Sequence, residues 1–247
     1  MAKYSMLIDL TRCVGCHGCT VACQAEYGLE PGQRFTKVER YEFGTFPEVG
    51  GAVITTQCMH CDQAPCVKVC PTGASYKRPD GLVMVDEEKC IGCRYCLTAC
   101  PYDARTFNRD RRVAQKCSFC YARVAEGKGP ACAVTCMAGA RIFGDTEDAN
   151  SEISKVAARK KALRVPGTNI MYVVPKNLDR SLLPKDASVP GFVSLWKDTI
   201  QPAGKALMGA TAGAVLLSLM VHSVKPKESH GNAADNTGRK GDGDGRK

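Results

Sequence analysis

Sixteen of the 247 residues are cysteine, and they fall into four groups of four with none left over. The first group, Cys13, Cys16, Cys19 and Cys23, is spaced C-x2-C-x2-C-x3-C. The second, Cys58, Cys61, Cys66 and Cys70, reads C-x2-C-x4-C-x3-C and is followed by Pro71. The third, Cys90, Cys93, Cys96 and Cys100, repeats the first spacing and is followed by Pro101. The fourth, Cys117, Cys120, Cys132 and Cys136, reads C-x2-C-x11-C-x3-C. A soluble region of roughly 200 residues can bury an ordinary apolar core. Here the sulfurs must organise part of it.

Three cysteines two residues apart let one short loop take three corners of a [4Fe–4S] cubane, and the fourth, three residues on, points to a neighbouring cluster. Gly15, Gly18, Gly92 and Ala99 suit a backbone that approaches sulfide closely. Pro71 and Pro101 fix the chain just past a fourth cysteine and remove a donor there. Isolated C-x2-C pairs often mean zinc ribbons, but two uninterrupted C-x2-C-x2-C-x3-C runs favour iron–sulfur. Disulfide frameworks belong mostly to small secreted chains. The first twelve residues lack the pattern of a cleavable signal, and Arg111-Arg112 lies too deep for a twin-arginine signal. The expectation is four [4Fe–4S] clusters on all sixteen cysteines. Spacing alone leaves open which fourth cysteine serves which cluster, because the second and third groups are close in sequence and the third and fourth nearly as close.

The formal charge of +9 counts every cysteine as neutral. With sixteen thiolates and four oxidised cluster cores the protein would sit near about +1. The basic residues therefore read as compensation for buried anionic clusters, and no nucleic-acid partner is expected.

The stretch CMHCDQAPCVKVCPTGASYKRPDGLVMVDEEKCIGCRYCLTACPYDARTFN, followed by KCSFCYARVAEGKGPACAVTCMAGARIFGD, resembles the iron–sulfur subunits of the complex-iron–sulfur-molybdoenzymes over roughly residues 4–180. That family includes dimethyl sulfoxide, polysulfide, tetrathionate and thiosulfate reductases and respiratory formate dehydrogenase. The resemblance implies an α+β fold of two ferredoxin-like 2×[4Fe–4S] modules with irregular insertions. It also implies nested ligand sets. Cys13, Cys16, Cys19 and Cys136 would hold cluster 1, and Cys23, Cys117, Cys120 and Cys132 cluster 2. Cys58, Cys61, Cys66 and Cys100 would hold cluster 3, and Cys70, Cys90, Cys93 and Cys96 cluster 4. The implied partners are a molybdenum or tungsten bis-pterin catalytic subunit and a membrane cytochrome b or other quinone-reactive subunit. The segment from GTNIMYVVPKNLD to LLSLMVHSV is similar to the end of a formate dehydrogenase beta subunit, while the middle reads more like the sulfur-compound reductases.

Along the chain, MLIDL, VERYEF, AVITTQ, GLVMVD and IMYVV at 170–174 read as strands. Residues 24–57 read as a connection rich in Gly and Pro. Residues 147–163 read as an exposed helix with Asn150 or Ser151 placed to cap it. Ala206 to Val224 is nineteen residues without a charged side chain if His222 is neutral. At 1.5 Å per residue it spans about 28 Å, near the hydrocarbon thickness. Trp196 is placed as an interfacial anchor, and Gly209 and Gly213 form a small-xxx-small face for another membrane helix. The expected organisation is a four-cluster domain at 1–145, an extension at 146–202, one transmembrane helix at 203–224 and a disordered polar tail at 225–247. Four Lys or Arg in the tail's first twenty residues, against two in the twenty before the span, place the tail in the cytoplasm and the clusters on the periplasmic face.

No catalytic residues are expected, since every cysteine is assigned to a cluster. His17 and His60 lie beside cluster cysteines, where a plain loop role outweighs a contact to sulfur. Lys68, Arg94, Lys116 and Arg123 are the cations expected to raise cluster potentials. The expected function is one-electron relay within a membrane-bound respiratory oxidoreductase, with formate dehydrogenase favoured for the complex. A sulfur-compound reductase or a membrane hydrogenase is the alternative, and a soluble polyferredoxin a further one.

Overall fold

The computed structural model describes residues 2–176 and 178–185. The chain alternates short strands with short helices. In order these are β1 (Tyr4–Asp9), α1 (Gly18–Tyr27), β2 (Lys37–Thr45), β3 (Glu48–Thr56), α2 (Pro65–Lys68), β4 (Ser75–Lys77), β5 (Val83–Val85), α3 (Tyr95–Thr98), β6 (Arg105–Asn108), β7 (Val113–Lys116), α4 (Tyr121–Ala125), α5 (Ala131–Val134), β8 (Arg141–Asp145), α6 (Glu152–Lys160), β9 (Leu163–Arg164) and β10 (Ile170–Val173). A four-stranded sheet has the order β8-β1-β10-β9, and three separate hairpins are made by β2-β3, β4-β5 and β6-β7.

Strand β1 lies between β8, antiparallel, and β10, parallel, and is buried on both faces. Its side chains alternate. Met6 and Ile8, with Ile170 and Tyr172 of β10, join the core that contains most of the buried cysteines. Leu7, with Met171 and Val173, faces α6 and packs on Ile153 and Val156. The stretch after residue 145 is therefore no appendage. It supplies two strands and the covering helix of the sheet that carries the first cysteine loop. Asn169 ties this sheet to the middle of the chain, since its amide N–H donates to the Met59 carbonyl and its side chain to Gly81 O.

The helix expected over 147–163 is shorter. Ser151 is its N-cap and accepts from Ser154 N–H, and Lys161 ends it in the left-handed region. Residues 147–150 instead form turns around Asp145 and Asp148. Within the connection expected at 24–57, α1 runs to Tyr27, and the two strands expected there, VERYEF and AVITTQ, lie in the long β2-β3 hairpin over 37–56. Among the described residues no helix is long and apolar enough to cross a membrane. The expected span at 203–224, with Trp196, Gly209, Gly213 and His222, and the tail at 225–247 lie outside the described residues.

Asp9 closes β1 and starts the turn into the first cysteine loop. Its carboxylate is buried, accepts from Thr11 N and Oγ1, and pairs with Lys160 Nζ at 2.5 Å. Burial pushes the carboxyl up, but the bonds from Lys160 and Thr11 outweigh it and hold it below its ordinary value. This contribution to stability is complete above the unfolded carboxylate's pKa and is lost as pH falls through the lowered one. Replacing Lys160 by Met should cost about 2 kcal/mol at neutral pH, because it leaves a buried carboxylate short of its cation while Lys160 itself is partly solvated. Ile153→Ala should cost about 3 kcal/mol. Both are read as lower midpoints in anaerobic thermal unfolding.

Candidate iron–sulfur sites

Each cysteine group sits on the same local plan: a strand leads into a C-x2-C turn, a short helix follows, and a strand leads out. Strands β1, β3, β5 and β7 lead in, and β4, β6 and β8 begin five residues after Cys70, Cys100 and Cys136. The third cysteine of each group lies on a helix: Cys19 on α1, Cys66 on α2, Cys96 on α3 and Cys132 on α5. The fourth follows one helical turn later, so the two sulfurs leave the same face at different heights.

The C-x2-C turns share a backbone constraint. The residue just before the second cysteine has positive φ in all four: Gly15 at 68°, His60 at 47°, Gly92 at 70° and Phe119 at 55°. Glycine adopts this region freely, whereas other residues are strained there by about 1–2 kcal/mol. His60 and Phe119 are fully buried and stack on each other with ring centroids 4.0 Å apart. His60 Nδ1 also accepts from Val83 N–H at 3.0 Å. Packing thus holds the two strained turns against one another.

The structure brings the cysteines together across groups. Cys13, Cys16 and Cys19 line one cavity with Cys136 (site 1). Cys58, Cys61 and Cys66 line another with Cys100 (site 3). Cys90, Cys93 and Cys96 line a third with Cys70 (site 4). Cys117, Cys120 and Cys132 are electrostatic neighbours of Cys23 (site 2). The pairing is reciprocal in each half, and the helices pair likewise, α1 against α5 and α2 against α3. Among the described residues no group of three or more His, Cys, Asp or Glu side chains is arranged to hold a single metal ion. A tetrahedral zinc site would need sulfurs only about 3.8 Å apart. Four cysteines around one cavity are instead the donor set of a [4Fe–4S] cluster.

Burial is the main influence on these thiols. It pushes Cys23 up to about 12, helped by Cys132 and Cys120. It raises Cys61, reinforced by Cys58, Cys66 and Cys100, and raises Cys117, reinforced by Cys23, Cys132 and Cys58. Metal loading therefore has to displace protons from these sulfurs. Cys70 is the exception. Burial pushes it up, but donors from Ser75, Thr72 and Ala74 outweigh that and lower it. Ser75 N–H lies 3.4 Å from its sulfur, Ala140 N–H 3.2 Å from that of Cys136, and Phe119 N–H 3.4 Å from that of Cys117.

The neighbour relations also order the sites. Cys19 of site 1 senses Cys132 of site 2. Cys117 of site 2 senses Cys58 of site 3, and Cys96 of site 4 senses Cys66 of site 3. The order is 1-2-3-4. Of the sixteen cysteines only Cys16 and Cys93 are exposed, one in each end site.

Two buried arginines escaped the sequence reading. Arg105 and Arg141 are each 5% exposed and open the exit strands β6 and β8. Arg105 lines site 3 and donates to Ser75 Oγ at 2.9 Å, and its Nη2 has no protein partner. Arg141 lines site 1 and donates to Thr55 Oγ1 and Gln57 Oε1, and its Nε has no protein partner. Orphaned buried donors beside clustered thiolates fit an anionic cofactor. The available signal was positional: each arginine stands five residues past the last cysteine of its group. Of the cations expected from sequence, Lys116 is buried, with Nζ 2.6 Å from Cys117 O. Arg94 lines site 4 and stacks over Phe107 at 3.9 Å. Arg123 pairs with Glu26, and Lys68 reaches the Gln63 side chain. His17 lines site 1.

Models of a 4Fe–4S dicluster domain match residues 12–74 and residues 49–146. The B subunit of sulfite dehydrogenase from Allochromatium vinosum is 43% identical over 183 residues, covering 65% of this chain and 76% of that protein. The B subunit of tetrathionate reductase from Salmonella typhimurium is 46% identical over 154 residues, 62% of each protein. The B subunit of anaerobic dimethyl sulfoxide reductase from Escherichia coli is 38% identical over 183 residues, 71% of this chain and 89% of that one. The chain belongs to the iron–sulfur subunits of the molybdoenzymes. As such a subunit it carries four [4Fe–4S] clusters and transfers electrons. When bound, such clusters supply one-electron storage at potentials set by hydrogen bonds to sulfur, charge and solvent exposure. In this iron–sulfur subunit Ser75, Ala140 and Phe119 would supply N–H donors to the cluster sulfurs.

Gly92→Ala should open one site. Its Cβ would lie 2.5 Å from Arg112 O at a φ of +70°. Anaerobically prepared variant should hold about twelve iron atoms per chain where the parent holds about sixteen, measured by iron assay against protein.

Proposed function

We propose that this subunit relays electrons one at a time between a molybdenum or tungsten bis-pterin catalytic subunit and a membrane-embedded, quinone-reactive subunit. Sites 1 to 4 would be the ligand sets of clusters 1 to 4. The observation that carries this reading is the linear order of the four cysteine sets, whose only exposed cysteines are at the two ends. Each end also presents apolar side chains to solvent. Val14 and Met137, 61% and 82% exposed, flank site 1, and Ile91 and Tyr95, 67% and 63% exposed, flank site 4. Exposed apolar residues gathered around a functional site suit partner docking.

The relatives named above are subunits of enzymes of sulfite, tetrathionate and dimethyl sulfoxide. We take the catalytic partner to act on a sulfur compound. The second reading, formate dehydrogenase, rests on the resemblance of the C-terminal segment. The domain layout and the placing of clusters on the periplasmic face, anchored through residues 203–224, belong to the same proposal.

A detergent extract tests it. The purified complex should contain about sixteen iron atoms per copy of this chain, molybdenum or tungsten, and reduced dye should be oxidised by tetrathionate, thiosulfate or a sulfoxide. Turnover with formate alone would replace the first reading by the second. Recovery of the full chain in the soluble fraction, without partners, would leave the polyferredoxin reading. Met137→Glu and Ile91→Glu should each weaken co-purification of one partner by tenfold or more while leaving the iron content unchanged.

A further inference from the structure

Four anionic clusters in a row have three gaps between them, and the chain places one buried cation at each. Arg141 neighbours Cys19 of site 1 and Cys132 and Cys117 of site 2. Lys116 lies against the Cys117 carbonyl of site 2 and acts on Cys66 of site 3. Arg105 neighbours Cys66 and Cys58 of site 3 and Cys96 of site 4. The three are 5%, 6% and 5% exposed. None has a carboxylate partner among the ion pairs of the described residues. Their polar contacts are Thr55, Gln57 and the Cys132 sulfur for Arg141, the Cys117 carbonyl for Lys116, and Ser75 and the Cys96 sulfur for Arg105. A buried charge without a counter-charge is expensive, and here the thiolates on either side are the available counter-charge.

All three also stand at strand ends. Arg105 and Arg141 open exit strands and Lys116 closes an entry strand, so the backbone fixes where each side chain starts, and its buried contacts hold the charge. The cations expected from sequence at Lys68 and Arg123 do not share this setting. Both are partly exposed and engaged with Gln63 or Glu26.

We propose that Arg141, Lys116 and Arg105 act as positioning charges, one per gap, that raise the potentials of the two clusters flanking each gap and offset the repulsion an arriving electron meets from its neighbour. Each hop oxidises one cluster and reduces the next by one electron, with no bond made or broken and no proton required of these residues. The inference rests on the reading of the four cysteine sets as cluster sites.

The test is an EPR-monitored redox titration of the detergent-purified complex carrying Arg141→Gln, Lys116→Gln or Arg105→Gln, with iron assayed on the same samples. Arg141→Gln should lower the midpoints of two clusters and Arg105→Gln those of the other two. Lys116→Gln should lower one from each pair. Each shift should reach about 59 mV, a tenfold change in the one-electron equilibrium. Arg141→Lys, Arg105→Lys and Lys116→Arg should restore parental midpoints. Full iron with unmoved midpoints, or the same clusters moving in all three variants, would overturn the inference. So would loss of iron in both the neutral and the charge-conserving variants, since the side chain would then serve assembly. A parent complex that itself lacks about sixteen iron atoms would instead overturn the cluster reading beneath it.

Discussion

Ionised sulfur is costly to bury, and this chain buries most of sixteen sulfurs in fewer than two hundred described residues. Burial raises the thiol at Cys19, Cys23, Cys61, Cys66, Cys96, Cys100, Cys117 and Cys120. In a medium of low dielectric, thiolates need compensation close by. Cluster iron would supply it, and backbone N–H groups at Ser75, Ala140 and Phe119 and buried cations lie close to the sulfurs as well. Much of the architecture follows. The strands β4 to β7 are short because each joins one cysteine loop to the next, and α2, α3 and α5 are short because each holds the third cysteine of its group and ends before the fourth. Most of the apolar core is interleaved with the cysteines, and only the smaller cluster beneath α6, Leu7, Ile153, Val156, Met171 and Val173, is free of them.

The cysteine pattern made the site legible, since spacing of two and three residues is a local property of a turn and a helical turn. Gly15 and Gly92 were legible for the same reason. His60 and Phe119 were not. Each occupies the same left-handed position as those glycines, and what stabilises it there is the ring of the other, contributed by a different motif. Arg105 and Arg141 were hidden differently. Their sequence neighbours are ordinary strand residues, and only the return of the chain past a second cysteine set shows that a cation stands between two groups of thiolates.

The fold was legible where patterning was strong. MLIDL, VERYEF and IMYVV are runs whose apolar and β-branched content declares a strand, and all three are strands. The parallel pairing of β1 with β10 was beyond reach, because a register such as Met6 opposite Ile170 joins segments at opposite ends of the cluster domain. The same long-range pairing explains why residues after 145 read as an extension. Strand β8 was missed because Arg141–Asp145 offers only Ile142 and Phe143 as apolar signal, and its burial comes from β1 and α6.

The linear order of sites has an electrostatic consequence. An inner cluster flanked on both sides by thiolates meets repulsion from two neighbours when it takes up an electron, whereas an end cluster meets it from one. Without correction the inner sites 2 and 3 would have the lower potentials and the array would carry a barrier in its middle. The distribution of buried cations opposes this: sites 2 and 3 each adjoin two of them, Arg141 with Lys116 and Lys116 with Arg105, while sites 1 and 4 adjoin one. The end sites have solvent instead, through the exposed Cys16 and Cys93, and water screens charge where the protein supplies fewer cations. Repulsion and compensation therefore rise together toward the centre of the array, which is the arrangement a relay needs if an electron is to pass in single steps without being held at either end.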